Sequence, residues 1–283
     1  MKTPATIRVG NETPEQDMPG TTDRERNGDV NMLIVWHGTA AVEVACGDSK
    51  ILFDPFVPLK HSLVDVTLEE FDGFHDIFVT HGHFDHIVNI PEIIRRNPGV
   101  CVHCTDAPFR TLRRKGVPAE NLDKITYSQT ITVGGMEIQT FHGRHAVLPS
   151  ATPALVWKFL KSPARGNLPY ILREHRRSPE NDETLFYQIR AQGKTLALMG
   201  SLNLCDDVAY PRNADALILP YNGWTDNFLP ACRVLERLRP KRVLLDHYDV
   251  TFPPLTAPID LTPILARPDV RVDPLELRRV VEV

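Results

Sequence analysis

The chain has 283 residues, 42% of them hydrophobic, enough to bury a sizeable core in one large domain or two modest ones. A formal charge of -4 offers no global attraction to nucleic acid or an anionic membrane, so any basic binding surface must be local. No apolar run approaches the roughly 20 residues needed to cross a bilayer, and the N-terminus lacks a basic segment followed by an apolar one. A cytoplasmic protein without membrane or nucleic-acid partners is therefore expected. Five cysteines, an odd number scattered over a long chain, do not form a disulfide framework. Cys101 and Cys104 make a C-x-x-C around His103, but no second such pair exists to complete a structural zinc set, so GVCVHC reads as a strand.

Residues 1–31 hold almost no large apolar side chains and are dense in Pro, Gly, Thr and charge, which predicts a flexible or peripheral tail before a single domain over 32–283. From Leu33 the pattern is strand after strand: LIVW, AVEVAC and KILFDP, with a Gly47-Asp48 turn between the last two. DIFVT then runs straight into a histidine cluster, and Pro91 suits the first turn of a helix over PEIIRRN. Further strands are expected at VCVHC, KITY, TITV, MEIQTF, TLFYQIR, KTLALM, DALILP and RVLLD, with helices at APFRTLRRKG, NFLPACRVLERLRP and LTPILAR. Such a series predicts a layered α/β protein with largely mixed sheets. Between Lys158 and Arg177 lie six Lys/Arg, one acid (Glu174) and His175. This basic excursion, about 158–183, reads either as solvated surface or as a flap that favours an anionic substrate.

The segment THGHFDHI places His81, His83, Asp85 and His86 within six residues. At a strand end, side chains two apart point the same way, so His81 and His83 can converge on one metal, and the following turn brings Asp85 and His86 toward a second position. Imidazole and carboxylate suit borderline divalent ions, and four such groups after an apolar strand are too costly to bury without a partner.

This H-x-H-x-D-H motif resembles the signature of the metallo-β-lactamase superfamily. WHGTAAVEVACGDSKILFDP is similar to the opening of its branch of UlaG-like and related hydrolases, and MEIQTFHGRHA, DALILPYNGW and LLDHYDVTFPP resemble its later site-bearing segments, over roughly residues 32–255. The resemblance implies a four-layer αβ/βα sandwich, two mixed sheets face to face with helices outside. It implies that His81, His83 and a later histidine hold one ion while Asp85, His86 and His247 hold another. His142 and His145 are both candidates for that later ligand, and the arginine before it favours His145. Asp54 is expected to orient a ligand histidine by accepting its distal N–H. His37 either faces the site or is a satisfied structural histidine.

The departure is Gly200-Ser201, where two-metal members carry Gly-Asp and the aspartate bridges both ions. A neutral serine predicts an unbalanced site, with one firm ion and a second weak or absent, unless Asp206 or Asp207 compensates. Zn2+ is the expected ion, with Mn2+ or Fe2+ as alternatives. The activity implied is a hydrolase using a metal-bound hydroxide on an ester, lactone or phosphodiester, with Asp85 and His247 in catalysis. The alternative is a non-catalytic metal-binding or sensing member that lost the bridging acid. An oxidoreductase is disfavoured because the diiron members put an acid where His83 stands. A small-molecule substrate is expected, and a homo-oligomer is compatible with everything above.

Overall fold

In the computed structural model, which describes residues 31–146, 152–222 and 227–283, the expected antiparallel opening is present as β1 (Met32–Trp36), β2 (Val42–Cys46) and β3 (Ser49–Phe53). β1 and β2 bury every second side chain, the pattern of strands with one face on the core. The tail expected over residues 1–31 falls, but for its last residue, outside the described residues. After β4 (Asp76–Phe78) come the single turn α1 (Phe84–Ile87), α2 (Ile90–Arg96), β5 (Cys101–Cys104), α3 (Asp106–Arg114) and β6 (Leu122–Lys124). Parallel pairing of β3, β4, β5 and β6 completes one end of the first sheet.

The second sheet starts with β7 (Thr130–Val133) and β8 (Met136–His142). The chain then leaves through α4 (Pro153–Lys161) and α5 (Leu168–Arg177) and returns as β9 (Leu185–Ala191) and β10 (Lys194–Met199). β11 (Ala216–Pro220), α6 (Phe228–Leu238), β12 (Arg242–Asp246), α7 (Thr262–Leu265), β13 (Arg271–Pro274) and β14 (Val280–Glu282) finish the chain. Sheet orders are β14-β1-β2-β3-β4-β5-β6 and β13-β12-β11-β10-β9-β8-β7, each mixed, with three antiparallel and three parallel joints. Their inner faces meet around Phe53, Phe78 and Tyr187, whose rings pack within 6 Å of one another. A second core lies on the outer face of the first sheet with α2 and α3, and a third on that of the second sheet with α6 and α7, which gives the four layers.

Three local expectations differ from the structure. KITY was expected as a strand, but pairing with β5 falls on Leu122–Lys124, because the register is decided by the neighbouring strand and not by local alternation. β13 and β14 have no counterpart in the sequence reading: both are short, and β14 pairs Leu33 with Glu282 from opposite ends of the domain. The basic excursion is helical. Its Ile171 is buried with Phe56, Phe84 and Phe252, and its Glu174 is buried against Lys115.

His103 ties the parallel strands together. It stacks on Phe78 at 4.3 Å, with Nε2 2.9 Å from Asp76 and Nδ1 2.8 Å from Asp123. Burial alone would lower its pKa, but hydrogen bonds with Cys101, Asp76 and Asp123 outweigh it and raise the pKa to about 9. The folded state therefore favours the imidazolium, so this contribution is complete below the ordinary value of 6.5 and is lost as pH rises through about 9. The difference in melting temperature between the wild type and His103→Gln is expected to be widest below pH 6.5 and to shrink above pH 9; a gap independent of pH would contradict this.

Candidate metal centre

The site forms where strands of both sheets end on one edge. β4 delivers His81 to His86, β8 leads to His145, β10 ends in Gly200-Ser201, and β12 hands over to His247. Two sets of donors result: His81, His83 and His145 in one, and Asp85, His86 and His247 in the other, with ligand atoms within 4.8 Å of one another in each. His142 is not among them. Its ring stacks on Tyr127 at 4.2 Å and its Nε2 faces the Asp182 carbonyl oxygen at 3.0 Å. His37 is also elsewhere, with its two ring nitrogens on Glu70 and Glu43. Asp206, near Arg144, and Asp207 are both exposed and belong to neither donor set, so neither stands in for a bridging acid.

The histidines are aimed by an inner network. Asp54, buried, accepts from the Thr80 N–H at 2.8 Å and from the Thr80 hydroxyl at 2.6 Å, and its Oδ2 lies 2.8 Å from His86 Nδ1. With its hydrogen committed to Asp54, the Thr80 hydroxyl can only accept from His81 Nδ1, 3.0 Å away. His145 Nδ1 lies 2.7 Å from the Ala146 carbonyl oxygen and donates to it. These partners engage Nδ1 of His81, His86 and His145 and so leave Nε2 of each ring for an ion. Gly200 is required here: a Cβ would lie 2.4 Å from Thr80 Cβ.

The second set depends on a loop held in the left-handed region, His247 having φ 57°. Its N–H donates to the Thr39 carbonyl oxygen at 2.8 Å, and Asp249 Oδ2 accepts from the Thr39 N–H at 2.8 Å. Ser201 plays an unexpected part. Its buried hydroxyl accepts from the Ala146 N–H at 2.9 Å, while Asn203 Nδ2 donates to the His145 carbonyl oxygen at 3.3 Å. The turn that lacks the acid therefore holds the loop carrying His145.

The two sets differ in charge. Burial and then neighbouring histidines push His81 well below its ordinary pKa and His83 down to about 3, and burial lowers His145 as well. These three are neutral ligands. Asp85 would be raised by burial, but His86 and His247 hold it well below the carboxylate range. Burial opposes charge on His86 and His247 too, but the acids win: Asp54 and Asp85 raise His86, and Asp85 raises His247 to about 9. An ion at the second set must compete with protons that these acids favour on His86 and His247, whereas burial favours the neutral, ligating form throughout the first set.

Donor spacing fits a metal. Two ligands set tetrahedrally at about 2.0 Å from an ion lie about 3.3 Å apart. His81 Nε2 and His83 Nδ1 are 3.2 Å apart, and Asp85 Oδ2 is 3.4 Å from His247 Nε2 and 3.6 Å from His86 Nε2. A third cluster, Asp76, Cys101 and His103, also brings donors within 4.8 Å, but carboxylates already hold the two nitrogens of His103.

Around the centre, Phe84, Ile171, Leu172, Phe252 and Leu255 make an apolar wall. α5 adds His175, whose ring centre is 5.2 Å from that of His83. Sequence reasoning singled out neither Thr80 nor His175 for the site. Thr80 directly precedes the motif, whereas His175 lay hidden in the basic excursion. None of the six Lys/Arg between Lys158 and Arg177 is among the described residues lining the pocket.

A family model described as a beta-lactamase superfamily domain matches residues 49–248. A metal-dependent hydrolase of the UPF0173 group from Roseiflexus sp. (strain RS-1) is 27% identical over 220 residues, 77% of this chain and 81% of that protein. Among solved structures, the metallo hydrolase Igni18 of Ignicoccus hospitalis aligns over 89% of this chain and 98% of its own, with a TM-score of 0.59 and 19% identity. The metallo-beta-lactamase fold protein YhfI of Bacillus subtilis covers 90% of this chain and 100% of its own, with a TM-score of 0.57 and 16% identity.

Replacing the buried acceptor, Asp54→Asn, is expected to weaken zinc binding roughly 10- to 100-fold, measured by competition with a chromogenic chelator. Ser201→Asp keeps an acceptor for the Ala146 N–H and adds charge between the two sets, so metal content by elemental analysis should rise; unchanged content would count against a charge deficit at the second set.

Proposed function

The chain belongs to the beta-lactamase superfamily, and from that premise we propose that it is a metal-dependent hydrolase acting on an ester, lactone or phosphodiester with an apolar group beside the scissile bond. The observation that carries this reading is the pair of buried donor sets with ligand-like spacings of 3.2 to 3.6 Å. His81, His83 and His145 would hold the firm ion, and Asp85, His86 and His247 a weaker one, zinc being best matched to imidazole-rich sets. The ion, when bound, supplies Lewis acidity toward the scissile oxygen and a water acidified from about 15.7 toward about 7 as nucleophile.

The protein's own groups divide the remaining work. Asp85, kept ionised by His86 and His247, accepts the nucleophile's proton at Oδ2 whenever that oxygen is not ligating. Phe84, Ile171, Leu172, Phe252 and Leu255 exclude water and seat the apolar group. His175 offers a polar contact at this wall, on the side of His83. The anionic preference suggested by the basic excursion has no Lys or Arg of that segment behind it in the described lining.

Zinc-reloaded protein should turn over nitrophenyl esters of increasing chain length, a lactone series or bis(nitrophenyl) phosphate, and His145→Ala should lower kcat/KM on the order of a hundredfold or more. An absence of turnover on all three classes with metal bound would sink hydrolysis and favour the non-catalytic reading that Ser201 invites.

A further inference from the structure

A surface helix ordinarily turns its apolar stripe toward the core, but α4 also presents apolar side chains outward. Val156, Trp157 and Leu160 share one face by their three- and four-residue spacing, yet they are 45%, 61% and 53% exposed. α5 adds Leu172, 57% exposed. Three large apolar side chains exposed on one face of a helix mark an interaction surface. The exposed charges between Lys158 and Arg177 are of one sign. Lys158, Lys161, Arg165, Arg173, Arg176 and Arg177 are all exposed, whereas the segment's one acid, Glu174, is buried and paired with Lys115. Lys161 Nζ lies 4.7 Å over the Trp157 ring, so cation and indole share one patch.

We propose that this face, α4 with the outer side of α5, docks on an anionic lipid–water interface. An indole beside lysines, exposed aliphatic side chains and no exposed carboxylate between Lys158 and Arg177 form the composition that lies in such an interface. A second copy fits less well, since face-to-face pairing would set six cations against six with no acid between them. A nucleic acid would use the cations but leave Val156, Leu160 and Leu172 unburied. Attachment is peripheral, because no helix among the described residues is long and apolar enough to cross a membrane. The expectation of no membrane partner rested on the overall charge of -4, which conceals this local concentration of cations. Leu172 also lines the pocket of the metal centre, so the docked face adjoins the mouth of the site.

Co-sedimentation of the full chain with vesicles tests this. Binding is expected to a two-to-one mixture of phosphatidylcholine and phosphatidylglycerol, with a blue shift of tryptophan emission, and not to phosphatidylcholine alone. Trp157→Ala and the double change Lys158→Glu, Lys161→Glu should each weaken binding roughly tenfold or more, with unchanged melting temperatures because these side chains are exposed. No sedimentation with the mixed vesicles, or binding indifferent to both variants, overturns the proposal. So does a dimer in gel filtration that Trp157→Ala returns to monomer, since that would assign the face to a second copy.

Discussion

At the candidate metal centre one buried carboxylate aims a histidine of each donor set. Asp54 sits at the end of β3 with φ 44°, accepts both hydrogens that Thr80 can give, and pairs with His86. Because the Thr80 hydroxyl is spent on Asp54, it turns His81 as well, so one acid aims a histidine in each donor set. Only a glycine at 200 lets β10 approach this threonine, which places the ends of the two sheets in contact at the site. An anion with such low exposure is tolerated because three donors satisfy it, and the same bonds transmit its charge to the ligands.

The two donor sets are chemically unequal. The first is three imidazoles that burial shifts toward the neutral form; the second is an ionised Asp85 between two histidines whose pKa values Asp54 and Asp85 raise. Ser201, which lines the same pocket, brings no charge to it. It is not idle, for its hydroxyl holds the Ala146 amide and so fixes the segment that presents His145. A position that reads as a lost ligand thus supports the ligand loop.

The excursion between β8 and β9 links the centre to its surroundings. Glu174 and Ile171 fasten α5 beneath, Leu172 and His175 border the pocket at its exposed rim, and the arginines face solvent. Clustered basic residues in the sequence suggested an electrostatic role inside the site. The helical geometry separates the two, because residues one or two apart on a helix point in different directions.

The strands with strong alternation, the histidine cluster and the departure at Ser201 were legible in the sequence, because a strand's period of two and the ligand chemistry of closely spaced imidazoles are local properties. The arginine before it already favoured His145 over His142, though the physical ground, Tyr127 and Asp182 capturing one ring and Ala146 orienting the other, was not legible. Nor were β13 and β14, whose pairing partners lie far away in the chain, or Thr80, whose importance arises only when Asp54 and Gly200 close on it. The sequence by itself determined which chemistry the chain can support; the tertiary structure alone decided which nitrogen faces the ion and which charges remain outside, because hydrogen-bond direction and burial exist only once distant segments meet.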